Sequence, residues 1–91
     1  MRFEWDPQKA AANLRKHGVS FDEAATVFDD PMFITVVDDE HSLVEERYIT
    51  IGLSSQARLL MIAHTERVGN VRVISARKAT NHEERFYAET E

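Results

Sequence analysis

The 91-residue chain contains no cysteine, three glycines, two prolines and a single tryptophan. Without cysteine there is no disulfide framework, no thiolate zinc site and no thiol nucleophile. So few glycines leave no phosphate-cradling loop, and neither a GxSxG elbow nor an HExxH pair occurs. No apolar run approaches the ~18–20 residues that cross a bilayer. The first six residues already carry Glu4 and Asp6 and no apolar stretch follows, so no secretory signal is expected and the cytoplasm is the expected location. Repeats and low-complexity segments are also missing, and a chain this short supports one core, so residues 1–91 read as a single domain.

Charge is plentiful and unevenly placed. The chain totals 11 basic and 16 acidic residues, net −5, which taken alone argues against a nucleic-acid partner. Residues 1–46 hold 4 basic and 11 acidic groups, net −7, whereas residues 47–85 hold seven basic and three acidic groups, net +4. Six of those seven are arginines, suited to bidentate recognition of phosphate or carboxylate. They form either a cationic surface on an acidic protein or ion pairs with the surplus carboxylates.

Helix signals open the chain. Asp6 is an N-cap, Pro7 fits the first helical position and Gly18 a left-handed C-cap, framing a helix over Pro7–His17 with Ala10, Leu14 and His17 on one stripe. Ser20-Phe21-Asp22-Glu23 reads as a capping box, opening a second helix that closes at Asp29-Asp30-Pro31. Strands are expected over 33–37, 47–53, 58–65 and 71–78, and Thr80-Asn81-His82-Glu83 opens a last helix. Phe3 and Trp5 either form a short first strand or dock on the core. Helices, then strands at short spacing, then a helix indicate an α+β fold: two N-terminal helices on a four-stranded antiparallel sheet with a C-terminal helix.

Several residues could carry chemistry. Alternation in the last strand puts Val71, Val73, Ser75 and Arg77 on one face and Arg72, Ile74, Ala76 and Lys78 on the other. Arg77 is a phosphate clamp at a strand end or an exposed strand terminator, and Arg58 at the head of the adjoining strand carries the same two readings. His17 is a helix-end residue or an acid, because the C-terminal end of a helix favours a cation. His64, in phase with Leu60 and Ile62, reads as a core histidine. Glu45, Glu46 and Arg47 offer a carboxylate base or a surface ion pair, and Tyr87 packs on the sheet or stacks on a base. The Asp38-Asp39-Glu40-His41 run lacks the pattern of a calcium loop and reads as a solvated turn. The four histidines stand too far apart for a local metal chelate.

Several stretches together resemble one family over nearly the whole chain. They are Phe3-Glu4-Trp5-Asp6-Pro7, Asn13, Lys16-His17-Gly18-Val19-Ser20-Phe21 with Glu23-Ala24, Asp30-Pro31 and the Asp39…His41 turn. Glu45-Glu46-Arg47, Gly52 and Ile74-Ser75-Ala76-Arg77-Lys78-Ala79 with Glu84 and Tyr87 complete the set. This pattern resembles the BrnT toxins of bacterial type II toxin–antitoxin pairs. The resemblance implies a RelE-like fold, a ribonuclease that arrests translation, and a BrnA-type ribbon-helix-helix antitoxin as partner. Operator DNA would be met only through the toxin–antitoxin complex, and no membrane is implied. RNA supplies its own nucleophile, the 2′-hydroxyl, so no cofactor and no metal is expected. On that reading Arg58 and Arg77 stabilise transition-state charge, Glu46 is the base and His17 the acid. Lys16, Arg47, Arg72 and Lys78 bind the RNA. The alternative is a non-catalytic RelE-like module that binds RNA or a protein partner.

Overall fold

The computed structural model describes residues 1–90. In chain order they form β1 (Arg2–Glu4), α1 (Pro7–His17), α2 (Phe21–Thr26), β2 (Ile34–Val37), β3 (Tyr48–Leu53), β4 (Leu59–Arg67), β5 (Asn70–Lys78) and α3 (Asn81–Glu89). Short 3₁₀ turns follow α2 at Val27–Asp29 and β2 at Asp39–His41. The expected second helix, drawn to Asp29 as one element, thus loosens after Thr26. Among the described residues no helix is long and apolar enough to cross a membrane.

The sheet has five strands, not four, in the order β1-β5-β4-β3-β2. Strands β2 to β5 form the expected antiparallel meander, but β1 joins the far edge parallel to β5, pairing Arg2 with Asn70 and Glu4 with Arg72. Three residues are too few to show a period, and their partner lies 68 residues away, so the pairing leaves no local signature.

The caps operate much as the residue types dictate. Asp6 accepts from the N–H groups of Gln8 and Lys9, and Gly18, at φ +70°, returns its N–H to Leu14. Thr80 and Glu83 close a reciprocal capping box at α3. At α2 only half of the box forms. Ser20 accepts from the Glu23 N–H, but the Glu23 side chain turns into the protein.

The stripe of α1 also differs from its apolar expectation, since Leu14 is half exposed and the buried residue is Asn13. The Asn13 amide donates to the carbonyls of Val19 and Ala76 at 2.9 Å each and accepts from the Ala76 N–H at 3.1 Å. Because β1 leaves the edge of β5 after Glu4, the backbone of Ala76 would otherwise be a buried, unpaired strand edge. Asn13 substitutes for the missing strand and fixes α1 along that edge.

Val19, Phe21, Ala24 and Val27 bury against Leu60, Ile62, Val71, Val73 and Ala76 on the first face of the sheet. Position 52, opposite Leu60, also lies on this face and is glycine because a Cβ there would stand 2.7 Å from Val27 Cγ1. His64 is a core residue, as expected. It is buried and stacked on Tyr48, and Nε2 shares a hydrogen bond with Thr50 Oγ1, which in turn bonds Thr35 Oγ1. Burial pushes its pKa down to about 4, so the ring is neutral.

The strict alternation expected for β5 does not hold. Ala63 pairs with Ser75 and the next residue, His64, pairs with Val73, leaving Ile74 as an unpaired bulge. The extra residue reverses the phase. Val71, Val73, Ala76 and Lys78 share the first face, while Arg72, Ser75 and Arg77 share the second. Arg72 and Arg77, assigned to opposite faces by alternation, therefore lie on the same one. α3 returns over the far end of that second face, tied to Arg77 through Glu83.

Candidate nucleic-acid interface

The register determines what the second face carries. Asp38 N–H donates to the Arg47 carbonyl, extending the β2–β3 ladder by one rung. Arg47 thus has the phase of Ile49, opposite Ala63, and Arg67 has the phase of Thr65, opposite Arg72. Three arginines from three strands meet there, and α1, held along the β5 edge by Asn13, adds Lys9. Lys9, Arg47, Thr65, Arg67, Arg72 and Ile74, with Glu45, line one depression.

The cations are held loosely. Arg67 donates to both oxygens of Glu45, at 3.1 and 3.2 Å, and the two side chains are 50% and 43% exposed. Arg72 donates to Glu4, its parallel-strand neighbour, at 3.0 Å. Lys9, Lys16 and Arg47 form no ion pair among the described residues. The hydrogen-bonded Arg67 guanidinium, with the charges of Arg72 and Arg47 adding, holds the Glu45 carboxyl below the usual carboxylate range. A carboxylate made so reluctant to take a proton is a poor base and a good clamp for Arg67.

The band continues along α1. Lys9 and Ile74 also line the adjoining depression, whose other walls are Ala12, Asn13, Lys16, His17 and Ser75. By contrast, the depression of about 300 Å³ between Thr26, Asp30, Pro31 and Leu53 carries two carboxylates and no cation, the wrong sign for a nucleic acid.

The structure separates the residues expected to form one site. Arg47 and Arg72 are in the band, and Lys16 and His17 stand at its α1 end. Arg58 lies on the first face beneath the C-terminus of α1. Its guanidinium donates to both oxygens of Glu23 and to the Gly18 carbonyl, and Ser54 Oγ supplies a further bond to Glu23 at 2.7 Å. The Arg58 hydrogen bonds lower the Glu23 pKa against the opposing effect of burial, with Ser54, the Arg58 charge and Lys78 assisting. Lys78 is thus a first-face neighbour of Glu23 rather than of Arg72. Arg77 is on the second face but donates to both oxygens of Glu83, at 2.8 and 3.0 Å, and to the Lys78 carbonyl. The expected pair Arg58 and Arg77 is split between the two faces.

Glu46 is exposed, outside the residues lining the band, and close enough to Tyr48 that its charge raises the phenol's pKa. The carboxylate in the band is its neighbour Glu45. Lys9 and Arg67 went unselected in the sequence because nothing local marks them, whereas Glu45, offered there as a base or a surface ion pair, forms the ion pair with Arg67. Lys9 is one of three lysines, and the phase of Arg67 relative to Arg72 depends on the hairpin register.

With this geometry in view, comparison with known proteins defines the class: a profile described as "Ribonuclease toxin, BrnT, of type II toxin-antitoxin system" matches residues 5–83. The chain belongs to this family. Among solved structures it is similar to the ribonuclease toxin BrnT of Brucella abortus, known from a crystal structure at 1.1 Å resolution. The TM-score is 0.65 at 21% sequence identity, covering 89% of this chain and 99% of the other. No curated protein matches.

Proposed function

We propose that this chain is the toxin of its pair and an endoribonuclease that needs no metal, in which the RNA 2′-hydroxyl attacks the adjacent phosphodiester. One observation carries the reading. Arg47, Arg67, Arg72 and Lys9, delivered by three strands and a helix, form a cationic band continuing to Lys16 and His17 on a protein of net charge −5. A single strand laid along that band exchanges its counterions for fixed guanidinium and ammonium groups. Such rigidly mounted donors also stabilise the charge that builds on a phosphorane, each well-aimed one contributing about 3 kcal/mol in measured cases. The cleaved species is messenger RNA, so translation stops. Of the charges assigned from sequence, Arg47, Arg72 and Lys16 serve the strand directly. Arg58, Arg77 and Lys78 act from the flanks by maintaining the sheet and α1.

The band is also the surface that a neutralising partner must deny to RNA. A BrnA-type antitoxin presenting carboxylates to Arg47 and Arg72 would do so.

The test uses the purified chain with EDTA, a labelled RNA oligonucleotide and the same oligonucleotide 2′-O-methylated throughout. Cleavage confined to the unmodified RNA, ending in a 2′,3′-cyclic phosphate and lost in the Arg47→Ala/Arg72→Ala double variant, is the expected result. Salt-sensitive binding of both oligonucleotides, with no product from free RNA or from messenger on translating ribosomes, would identify a binding module instead. Growth arrest on expression, relieved by co-expressing the neighbouring antitoxin gene, tests the pairing.

A further inference from the structure

The turn between β2 and β3, an ordinary acidic run in the sequence, is constructed around one imidazole. Asp38 Oδ2 and His41 Nδ1 are 2.8 Å apart. A carboxylate accepts and does not donate, so Nδ1 carries a hydrogen, and the ring in its neutral form presents its lone pair at Nε2. Asp38 is itself fixed, its side chain only 15% exposed and its N–H bonded to the Arg47 carbonyl at 2.8 Å. Ser42 closes the loop across its base: Oγ donates to the Asp38 carbonyl at 2.6 Å and accepts from the Arg47 N–H at 2.9 Å. The His41 ring, in contrast, is 59% exposed and open to a ligand. His41, Glu45 and Arg47 line one depression together with Leu43 and Val44. Glu45 and Arg47 also line the cationic band, so the imidazole stands at its mouth.

Resting on the ribonuclease reading above, we infer that His41 is the general base of the cleavage and Asp38 the residue that positions it. Nε2 takes the proton of the 2′-hydroxyl. The 2′-oxygen forms a bond to phosphorus as the P–O5′ bond breaks, giving a 2′,3′-cyclic phosphate. Water protonates the departing 5′-oxygen, and the imidazolium returns its proton to solvent. Arg47, anchored to the same loop, faces the phosphate whose charge rises during the step. The nearly fully exposed Leu43 and Val44 offer the flanking base an apolar contact. Glu46, the base expected from sequence, has no comparable anchoring among the described residues. His17 makes no side-chain hydrogen bond among the described residues. It lies about 12 Å beyond Lys9 along α1, given a rise of about 1.5 Å per residue, and so meets a different phosphate.

The test compares wild type, His41→Ala and Asp38→Asn on unmodified RNA, on translating ribosomes and, for affinity, on the uncleavable 2′-O-methyl RNA. His41→Ala is expected to cut at least about 100-fold more slowly, to bind the uncleavable strand with affinity within about threefold of wild type, and to regain part of its activity in added imidazole. Asp38→Asn is expected to lower kcat while leaving KM unchanged, which loss of a merely structural contact would not do. Wild-type cleavage by His41→Ala would overturn the assignment and leave the ribonuclease reading intact. The assignment fails in the same way if binding falls in step with cleavage and imidazole restores nothing. A wild-type chain that cuts neither free nor ribosome-bound RNA would overturn both.

Discussion

Arginine does opposite work at Arg58, on the first face of this sheet, and in the cationic band on the second. On the first face Arg58 is committed: its partner Glu23 is buried, both carboxylate oxygens are bonded, and the Gly18 carbonyl takes a further donor. On the second face Arg67 and Arg72 rest against half-exposed glutamates and Arg47 forms no ion pair among the described residues. The side chains are chemically equivalent, so what differs is the dielectric around the anion each one meets. A buried carboxylate makes its arginine indispensable to the fold, whereas an exposed one can be exchanged for a phosphate at little cost.

The largest effect should come from removing Arg58. Arg58→Ala leaves the Glu23 carboxylate buried with only Ser54, and a stability loss of about 3–5 kcal/mol is expected. Denaturant or thermal unfolding measures it. Glu23→Gln/Arg58→Met removes the charge with its partner and should recover most of that loss. If RNA cleavage by this double variant, per folded molecule, is near wild type, the role of Arg58 is architectural. A folded double variant with no activity would return Arg58 to the chemistry.

This division also explains what the sequence could and could not reveal. The Asp6, Gly18 and Thr80 caps were legible because a cap concerns residues within one turn, and His64 declared itself through its phase with Leu60 and Ile62. The Glu23–Arg58 pair was not legible. Its residues are 35 apart, and Glu23 carries a strong capping-box signal that misdirects its side chain to the helix end. The bulge at Ile74 was equally hidden, since no residue type at 74 requires one, yet it alone brings Arg72 onto the face of Arg77. Family resemblance identified the chain but not which of its arginines face one another.

The next effect separates core from surface by pH. His64 is neutral in the folded protein, with a pKa of about 4, against about 6.5 when unfolded. Between those values the unfolded chain binds the extra proton, so stability falls as pH drops from about 6.5 and the loss is complete below about 4. It amounts to at most about 3 kcal/mol. Glu23, Asp30 and Glu83, whose pKa values are lowered, begin to add losses as the unfolded carboxylates take up protons, from about pH 5 downward. Unfolding midpoints measured from pH 7 to about pH 5 should therefore slope for wild type and flatten for His64→Phe. Thr50 keeps Thr35 as a partner in that variant. An unchanged slope would mean that some other group titrates in this window.

On the second face the consequences should appear in binding rather than stability. Arg47→Ala is expected to weaken binding of the 2′-O-methyl strand about tenfold and to reduce its log-affinity slope against log salt by about 0.7, with little change in unfolding. Glu45→Gln should act with the opposite sign. Releasing Arg67 and deleting a negative charge should raise RNA affinity about threefold, in keeping with a surface pair worth under about 1 kcal/mol. Were Glu45→Gln instead to abolish cleavage while binding held, Glu45 would have to be a catalytic group despite its lowered pKa.

The smallest effect concerns the tip of the β4–β5 hairpin, just beyond the Arg67–Asn70 pair. Val68 and Gly69 form its two-residue turn, and both have positive φ, +47° and +82°. Glycine adopts that conformation freely, but a β-branched residue does not, and the Val68 side chain is fully exposed, so no packing offsets the strain. Val68→Asn should therefore stabilise the fold by about 1 kcal/mol, raising Tm by roughly 4–8 °C for a chain of this size. If the second face is a binding surface mounted on the fold rather than part of what holds the fold together, that gain should leave RNA affinity and its salt dependence unchanged. An affinity that moved with the turn would show instead that Arg67 depends on the hairpin tip for its position. The band would then be a conformationally coupled site, not a rigid row of charges.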